Sequence, residues 1–250
     1  MTAPAWLTER PIAHRGLHDR AAGILENTLS AADAAIAQRF PIECDVQLSA
    51  DGEAMVFHDH TLDRLTTERG PVHERRADGL ARLSVGGSDD LIPTLSALLE
   101  RVAGRVGLVV EIKSRFDGAM GLTRRTCELL LAYPGPVALK SFDPRVVAEV
   151  RRIAPALPRG FLGQANYDHP DWAALDAREK FALANLLHLD DMQPDFLSWR
   201  VADLPHAAPF LWRRLGGGPV TAWTVRAPED RRRAAEHADQ MVFEGFVPGA

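Results

Sequence analysis

The chain has 250 residues, of which 46% are hydrophobic and 25% charged, a composition typical of a globular protein with one large core or two small ones. Its formal net charge of -5 argues against a general nucleic-acid binder, because neutralising a phosphate backbone requires a basic face. The two cysteines, Cys44 and Cys127, lie far apart in the sequence, which argues against a disulfide framework. No signal peptide or membrane span is visible, so a cytoplasmic location is expected.

Short apolar runs alternate with helix-like segments along the sequence. Nine of these runs are predicted to be strands, at residues 11–14, 42–48, 54–58, 107–113, 136–142, 159–164, 186–190, 220–225 and 240–246. Helices are predicted between them, with N-caps at Asn27 or Thr28, at Thr94 and at Asp143. Alternating strands and helices of this kind indicate a parallel sheet with helical crossovers.

The second and third predicted strands are joined only by the stretch "SADGEA", which contains the turn signal Asp51-Gly52. A parallel connection needs about a dozen residues, so these two strands are predicted to form an antiparallel hairpin. Eight parallel strands remain, which predicts an α/β fold of the (β/α)8 TIM-barrel class. A doubly wound sheet is the competing interpretation, weakened by the absence of GxGxxG and Walker sequences. Residues 59–92, polar and turn-rich, are interpreted as a small insertion after the second strand, within a single domain of residues 1–250.

Three carboxylates are predicted to converge at the carboxyl ends of the strands, where barrel active sites are built. Glu43 and Asp45 alternate along the second strand, and Glu111 lies near the end of the strand at 107–113. Their mutual repulsion in an apolar interior requires a cation between them. Mg²⁺ or Ca²⁺, hard divalent ions with oxygen ligands, is the predicted occupant.

Basic and titratable side chains accompany these acids. Arg15 offers a planar fork for two phosphate oxygens, and Lys113 adds a compact positive charge. His14 at the end of the first strand and His58 at the end of the hairpin strand are suited to exchanging protons near neutral pH. Together with a metal ion, these groups indicate chemistry at phosphorus.

In this order, the motifs "AHRG", "ENT", "IECDVQLSADGEAMVFHD", "IPTLSALLE", "VEIK", "SF" and "AWTV" resemble the glycerophosphodiester phosphodiesterase family, from residue 12 to about residue 246. The resemblance implies a TIM barrel that hydrolyses a small-molecule glycerophosphodiester to glycerol phosphate and an alcohol, with one divalent cation. It implies attack on phosphorus by the substrate's own glycerol hydroxyl, followed by opening of the cyclic phosphate by water. The roles that it implies are metal binding for Glu43, Asp45 and Glu111 with Glu26 at or beside that site, general acid and base for His14 and His58, phosphate contact for Arg15, and substrate contact for Lys113 and Trp223.

Some positions depart from the family pattern. Leu25 stands where the family usually has proline, Arg226 stands where asparagine is common, and the ending "MVFEGFVPGA" differs from the usual one. Because of these departures, the sequence does not determine which alcohol is the leaving group. An insertion without aromatic residues favours small, water-soluble substrates.

Two alternative functions remain open from the residues. A TIM-barrel glycosidase could use the paired carboxylates, and it would need no metal ion. A non-catalytic phosphodiester-binding protein would have the same pocket without turnover. The oligomeric state is also left open.

Overall fold

The computed structural model describes residues 3–249, which contain nine strands and ten α-helices. The strands are β1 (Ile12–Ala13), β2 (Ile42–Leu48), β3 (Ala54–Val56), β4 (Leu108–Ile112), β5 (Val137–Ser141), β6 (Arg159–Gly163), β7 (Phe196–Arg200), β8 (Val220–Val225) and β9 (Gln240–Phe243). The α-helices are α1 (Trp6–Glu9), α2 (Leu29–Ala37), α3 (Ala77–Leu80), α4 (Leu95–Val102), α5 (Gly121–Leu131), α6 (Pro144–Ile153), α7 (Ala177–Ala184), α8 (Leu189–Met192), α9 (Ala207–Arg214) and α10 (Pro228–His237). Short 3-10 helices cover Arg20–Ala22, Val72–Glu74, Pro170–Trp172 and Val201–Asp203.

The strands form one sheet in the order β1-β9-β8-β7-β6-β5-β4-β2-β3, and a further pairing of β1 with β2 closes it. Eight of these strands make the parallel barrel with helices between them, so the predicted (β/α)8 TIM-barrel fold is confirmed. β3 is the exception, because it pairs antiparallel with β2 and places Val56 opposite Val46. The predicted hairpin is therefore confirmed as well.

The chain divides into two compact units. The N-terminal unit comprises Ala13–Lys113 and Met120–Val137, and the C-terminal unit comprises the residues up to Ile12, Ser114–Ala119 and the residues from Ala138 on. The N-terminal unit contains β2, β3 and β4, and the C-terminal unit contains β6 to β9. The organisation of residues 1–250 as a single domain stays a prediction.

Residues 59–92 bury apolar side chains of their own within the N-terminal unit. The buried members of this insertion cluster are Leu62, Leu65, Val72, Leu80, Val85 and Ile92, packed with Leu25, Met55 and Phe57. Leu25 and Phe57 directly precede Glu26 and His58 in the sequence. The apolar cluster therefore ties the insertion to the two chain segments that carry these polar side chains.

Helix boundaries follow the predicted caps. The Thr28 hydroxyl accepts a hydrogen bond from the Ala31 N–H at 3.2 Å, and α2 begins at the next residue. Thr94 caps α4 and Asp143 caps α6 in the same way. No helix among residues 3–249 has the length and apolar character needed to cross a bilayer. The cytoplasmic location stays a prediction.

The strand predicted at residues 186–190 is wrong. Leu186 has a φ of 56°, Leu187 is 61% exposed, and the short helix α8 follows at Leu189. The run has no β-branched residue, and leucine favours helices. The strand is β7 instead, where buried Ser198 interrupts the apolar pattern and accepts a hydrogen bond from the Thr221 hydroxyl at 3.0 Å.

This correction is testable with two leucine variants. Leu197 in β7 is fully buried, so Leu197→Ala should lower the free energy of unfolding by about 2–5 kcal/mol. Leu187→Ala removes an exposed side chain and should change the free energy of unfolding by less than about 0.5 kcal/mol. Urea unfolding of both variants measures the difference, and equal losses would contradict the strand assignment.

Candidate active site

A tight turn after β1 places His14 and Arg15 beside β2. Arg15 has a φ of 55° and Gly16 a φ of 80°, so two successive residues are left-handed. Any Cβ on Gly16 would lie 2.8 Å from the Ala31 Cβ, which is too close for a side chain. The turn directs the Arg15 backbone N–H to Glu43 Oε2 at 3.1 Å. Glycine at this position therefore allows the close packing that brings the His-Arg pair to the acids.

Three buried carboxylates converge in the N-terminal unit. Glu43, Asp45 and Glu111 each place an oxygen within 4.8 Å of the other two. Asp45 and Glu111 are directly opposite each other in the parallel pairing of β2 with β4. Their donor atoms are all carboxylate oxygens, the ligands that hard divalent cations prefer, and the group could hold a metal ion.

Two cationic side chains contact this acidic group. Lys113 Nζ donates to Glu111 Oε1 at 2.5 Å and lies 2.7 Å from Asp45 Oδ1. Arg15 Nε lies 3.4 Å from Asp45 Oδ2. Both positive charges are close enough to offset part of the repulsion among the carboxylates.

The pKa values of Asp45 and Lys113 show the strength of this pairing. Burial raises the pKa of Asp45, but the surrounding positive charges outweigh burial and hold that pKa well below its ordinary value, with contributions from Lys113, His58, Arg15 and His14. Burial lowers the pKa of Lys113, but the nearby carboxylates of Asp45 and Glu111 raise it above its ordinary value. Asp45 is therefore ionised and Lys113 protonated at neutral pH.

Asn27 orients Asp45, a role that the sequence reasoning missed. Its side-chain Nδ2 donates to Asp45 Oδ2 at 2.8 Å, and its Oδ1 accepts from the Asp45 backbone N–H at 3.2 Å. Its own φ is 59°, and its backbone N–H donates to the Arg15 carbonyl at 2.9 Å. The sequence pattern predicts only a helix cap at Asn27, although its place in "ENT" links it to the motifs of the site.

The two histidines have different surroundings. His14 is buried, with Nε2 3.9 Å from Glu43 Oε2. His58 is partly exposed, and its Nδ1 lies 2.6 Å from Asp59 Oδ1. Burial raises the pKa of Asp59, but hydrogen bonds from His58 and Arg64 outweigh burial and hold it well below its ordinary value. An ionised Asp59 accepts the proton of Nδ1, so the tautomer of a neutral His58 leaves Nε2 as an acceptor.

Gln47 and Asp59 support His58, and sequence signals for both existed. Gln47 continues the period-two alternation of the acids on β2, and its Nε2 donates to the His58 carbonyl at 2.9 Å. Asp59 directly follows His58 in the sequence. Neither residue was among the predicted site residues.

Glu26 lies outside the group of three carboxylates. Its Oε1 accepts from Arg15 Nη1 at 2.6 Å, and Arg64 donates to both of its oxygens. Burial raises the pKa of Glu26, but the hydrogen bonds and charges of Arg64 and Arg15 outweigh burial and lower it to about 2. A metal role for Glu26 stays a prediction. No sequence signal marked Arg64, which lies in the polar insertion.

Trp223 belongs to the C-terminal unit and lies in β8. Its Nε1 donates to the Ser198 carbonyl at 3.0 Å, and its ring meets that of Phe142 edge-on at 5.4 Å between centroids. The predicted contact of Trp223 with substrate stays a prediction.

Comparison with known proteins gives concordant findings. The chain matches the glycerophosphoryl diester phosphodiesterase family over residues 14–243. A glycerophosphodiester phosphodiesterase of Caldanaerobacter subterraneus subsp. tengcongensis is 32% identical over 174 residues, covering 66% of this chain and 70% of the relative. The protein YhdW of Bacillus subtilis (strain 168) is 30% identical over 187 residues, covering 71% of this chain and 75% of the relative.

A solved structure agrees with the fold. The phosphodiesterase of Oleispira antarctica, in complex with its product sn-glycerol-3-phosphate, aligns with a TM-score of 0.77 at 22% sequence identity. The alignment covers 95% of this chain and 93% of that chain. The likeness supports the barrel fold described above.

The low pKa of Glu26 predicts a pH dependence of stability. Because the pKa falls from 4.5 to about 2 on folding, ionised Glu26 stabilises the folded state above pH 4.5, and this contribution is lost as the pH falls toward 2. The Glu26→Gln variant lacks this contribution, which is at most about 3 kcal/mol. The difference in free energy of unfolding between wild type and variant should therefore shrink with falling pH.

Urea unfolding at neutral pH and in steps down to about pH 3 measures this difference. Glu236→Gln, which alters an exposed partner of Arg232, is the control, and its effect should stay below about 0.5 kcal/mol. If the difference in free energy of unfolding between the wild type and Glu26→Gln stayed constant with pH, this result would contradict the assigned pKa shift of Glu26.

Proposed function

Because the chain belongs to the glycerophosphoryl diester phosphodiesterase family and is a phosphoric diester hydrolase, we propose that it splits a small glycerophosphodiester with His14, His58 and one divalent cation. The products are glycerol phosphate and an alcohol. The observation that carries the proposal is the group of three buried carboxylates flanked by Arg15 and Lys113. The acidic side chains at these positions suit a cation, and the basic side chains suit a negatively charged diester.

Glu43, Asp45 and Glu111 would hold the cation, which is Mg²⁺ or Ca²⁺ in this proposal. Their burial and their oxygen donors support this assignment. When bound, a divalent ion would neutralise negative charge that develops on the phosphoryl oxygens. Asn27 contributes by fixing Asp45, because its amide nitrogen donates to the Asp45 carboxylate and its amide oxygen accepts from the Asp45 backbone N–H.

Arg15 and Lys113 supply the positive charge for substrate binding. Arg15 presents a planar guanidinium that suits two phosphoryl oxygens, and Glu26 and Asp45 restrain it through Nη1 and Nε. Lys113 neutralises Asp45 and Glu111 and adds a compact charge beside them. Trp223 is proposed to contact the substrate through its ring.

The two histidines would carry out the proton transfers in a two-step reaction. In the first step one histidine takes the proton of the glycerol hydroxyl as that oxygen attacks phosphorus, and the other gives a proton to the departing alcohol oxygen. The product of this step is a cyclic phosphate. In the second step the roles reverse, because water loses a proton as it attacks and the ring oxygen gains one as the ring opens. Arg15 stabilises the charge on the phosphoryl oxygens in both steps.

The electrostatics do not suit the glycosidase alternative. A glycosidase requires one carboxylic acid with a raised pKa that stays protonated near neutral pH. Asp45 has a strongly lowered pKa instead, and a single ammonium group links it to Glu111. Asp45 is therefore ionised and shares the Lys113 ammonium with Glu111.

A chelation assay tests the metal requirement. We expect the enzyme to release glycerol phosphate from a panel of glycerophosphodiesters with small alcohols, to lose this activity in EDTA, and to regain it with Mg²⁺ or Ca²⁺, because the three carboxylates need a divalent ion. Enzymatic measurement of glycerol phosphate gives the rates. Full activity in EDTA would contradict the metal requirement, and binding without turnover would favour the binding-protein alternative.

Histidine variants test the proton transfers. His14→Gln and His58→Gln should each lower kcat by about 10²–10⁴-fold, because each removes one acid-base group. His73→Gln, which changes an exposed histidine of the insertion, is the control and should leave kcat unchanged. Steady-state kinetics on the best substrate measures the effect, and wild-type rates in either active-site variant would refute the assigned role.

A further inference from the structure

Arg64, in the insertion of residues 59–92, binds two carboxylates at once. Its Nε and Nη2 donate to Asp59 Oδ2 and Oδ1 at 2.7 and 2.9 Å. Its Nη1 and Nη2 donate to Glu26 Oε2 and Oε1 at 2.9 and 2.8 Å. Four charge-assisted hydrogen bonds from one planar guanidinium fix the position and the orientation of both carboxylates.

A single nitrogen of Arg64 connects the two groups of the proposed active site. Its Nη2 donates to Asp59 Oδ1, the same oxygen that lies 2.6 Å from His58 Nδ1. It also donates to Glu26 Oε1, the same oxygen that accepts from Arg15 Nη1 at 2.6 Å. The side chain of Arg64 therefore determines where the partners of both His58 and Arg15 lie.

Folding stability alone does not account for this arrangement. The Arg64 side chain is 45% exposed, which limits what its ion pairs add to stability, although its hydrogen bonds help to lower the pKa of Glu26. The insertion is held instead by its buried apolar cluster around Leu62 and Leu80. The hydrogen bonds of Arg64 serve to orient the site.

We propose that Arg64 is a positioning residue for the phosphodiesterase reaction, holding Asp59 against His58 and Glu26 against Arg15. The inference rests on the proposed function of His58 and Arg15. It gives the insertion a direct part in the active site, since Arg64 and Asp59 both belong to it. Lysine could not replace arginine here, because an ammonium group cannot form paired, coplanar hydrogen bonds with two carboxylates.

Kinetics of Arg64 variants tests the proposal. Arg64→Ala should lower kcat/KM by about 10–100-fold, the usual effect of losing a residue that orients active-site groups. Arg64→Lys should recover only part of this loss. Added methylguanidinium should restore activity to Arg64→Ala by occupying the vacated position, and it should not stimulate the wild type.

The matched control is Arg75→Ala. Arg75 lies in the same insertion, its side chain is 50% exposed, and its carboxylate partner is Glu68, at 3.3 Å. Glu68 contacts neither His58 nor Arg15 among the described hydrogen bonds. This variant should keep kcat/KM within about twofold of the wild type, and both Arg75→Ala and Arg64→Ala should remain folded under the assay conditions.

An NMR measurement tests the positioning without relying on turnover. In ¹⁵N-histidine-labelled protein, His58 should show one protonated Nδ1 with a sharp proton resonance, assigned by its loss in His58→Gln. This resonance should broaden or disappear in Arg64→Ala and persist in Arg75→Ala, because Arg64 binds the Asp59 acceptor and Arg75 binds Glu68 instead.

The outcomes separate this inference from the proposed function. An unchanged His58 resonance in Arg64→Ala, full activity of Arg64→Lys, or equal activities of Arg64→Ala and Arg75→Ala would overturn the positioning role. Failure of the proposed function would give a different result. Either the wild-type protein would show no turnover, or the His58→Gln variant would keep its activity.

Discussion

Repulsion among three buried carboxylates is the constraint on which the rest of this site depends. Glu43, Asp45 and Glu111 bring oxygens within 4.8 Å of one another at the barrel strands β2 and β4, where water cannot screen them. The fold meets this constraint with cations: Lys113 contacts Asp45 and Glu111, and the Arg15 guanidinium contacts Asp45 while its backbone N–H donates to Glu43. Those same cations suit a phosphodiester, and in the proposed function they would both offset the charge of the acids and bind the substrate. A divalent ion completes the balance in the proposed enzyme.

Strained backbone is the local cost of this arrangement. Arg15 and Asn27 both adopt left-handed conformations, which cost about 1 kcal/mol or more each for residues with a side chain. Each is held by hydrogen bonds to the site: the Arg15 N–H donates to Glu43, and the Asn27 N–H donates to the Arg15 carbonyl. The loop after β1 and the segment before α2 therefore position each other around the acids. The insertion adds a third restraint through its apolar cluster, which fixes the residues next to Glu26 and His58.

The fold and the acidic group could be predicted because short-range patterns encode them. The period of two along β2 and β4 brings Glu43, Asp45 and Glu111 together, and the short connection after Leu48 dictates the hairpin. The predicted strand at residues 186–190 is wrong because its leucine run resembles a strand, while buried Ser198 makes the true strand, β7, which is the sixth of the barrel, appear polar. The roles of Asn27 and Arg64 depend on contacts between residues 18 and 38 positions apart in the sequence. Such contacts leave no periodic signal, so the partners of Asn27 and Arg64 follow from the three-dimensional structure.

The measurement that tests the central claim most directly is the location of a bound ion. Crystals of the wild type soaked in Mn²⁺, which substitutes for Mg²⁺ and scatters anomalously, should give one strong anomalous peak bounded by the carboxylates of Glu43, Asp45 and Glu111. Crystals of Asp45→Asn treated in the same way should give a weaker peak or none. An ion bound elsewhere would contradict the claim that these acids form a metal site. So would the absence of a peak at saturating Mn²⁺ while Lys113 stays paired with Asp45 and Glu111.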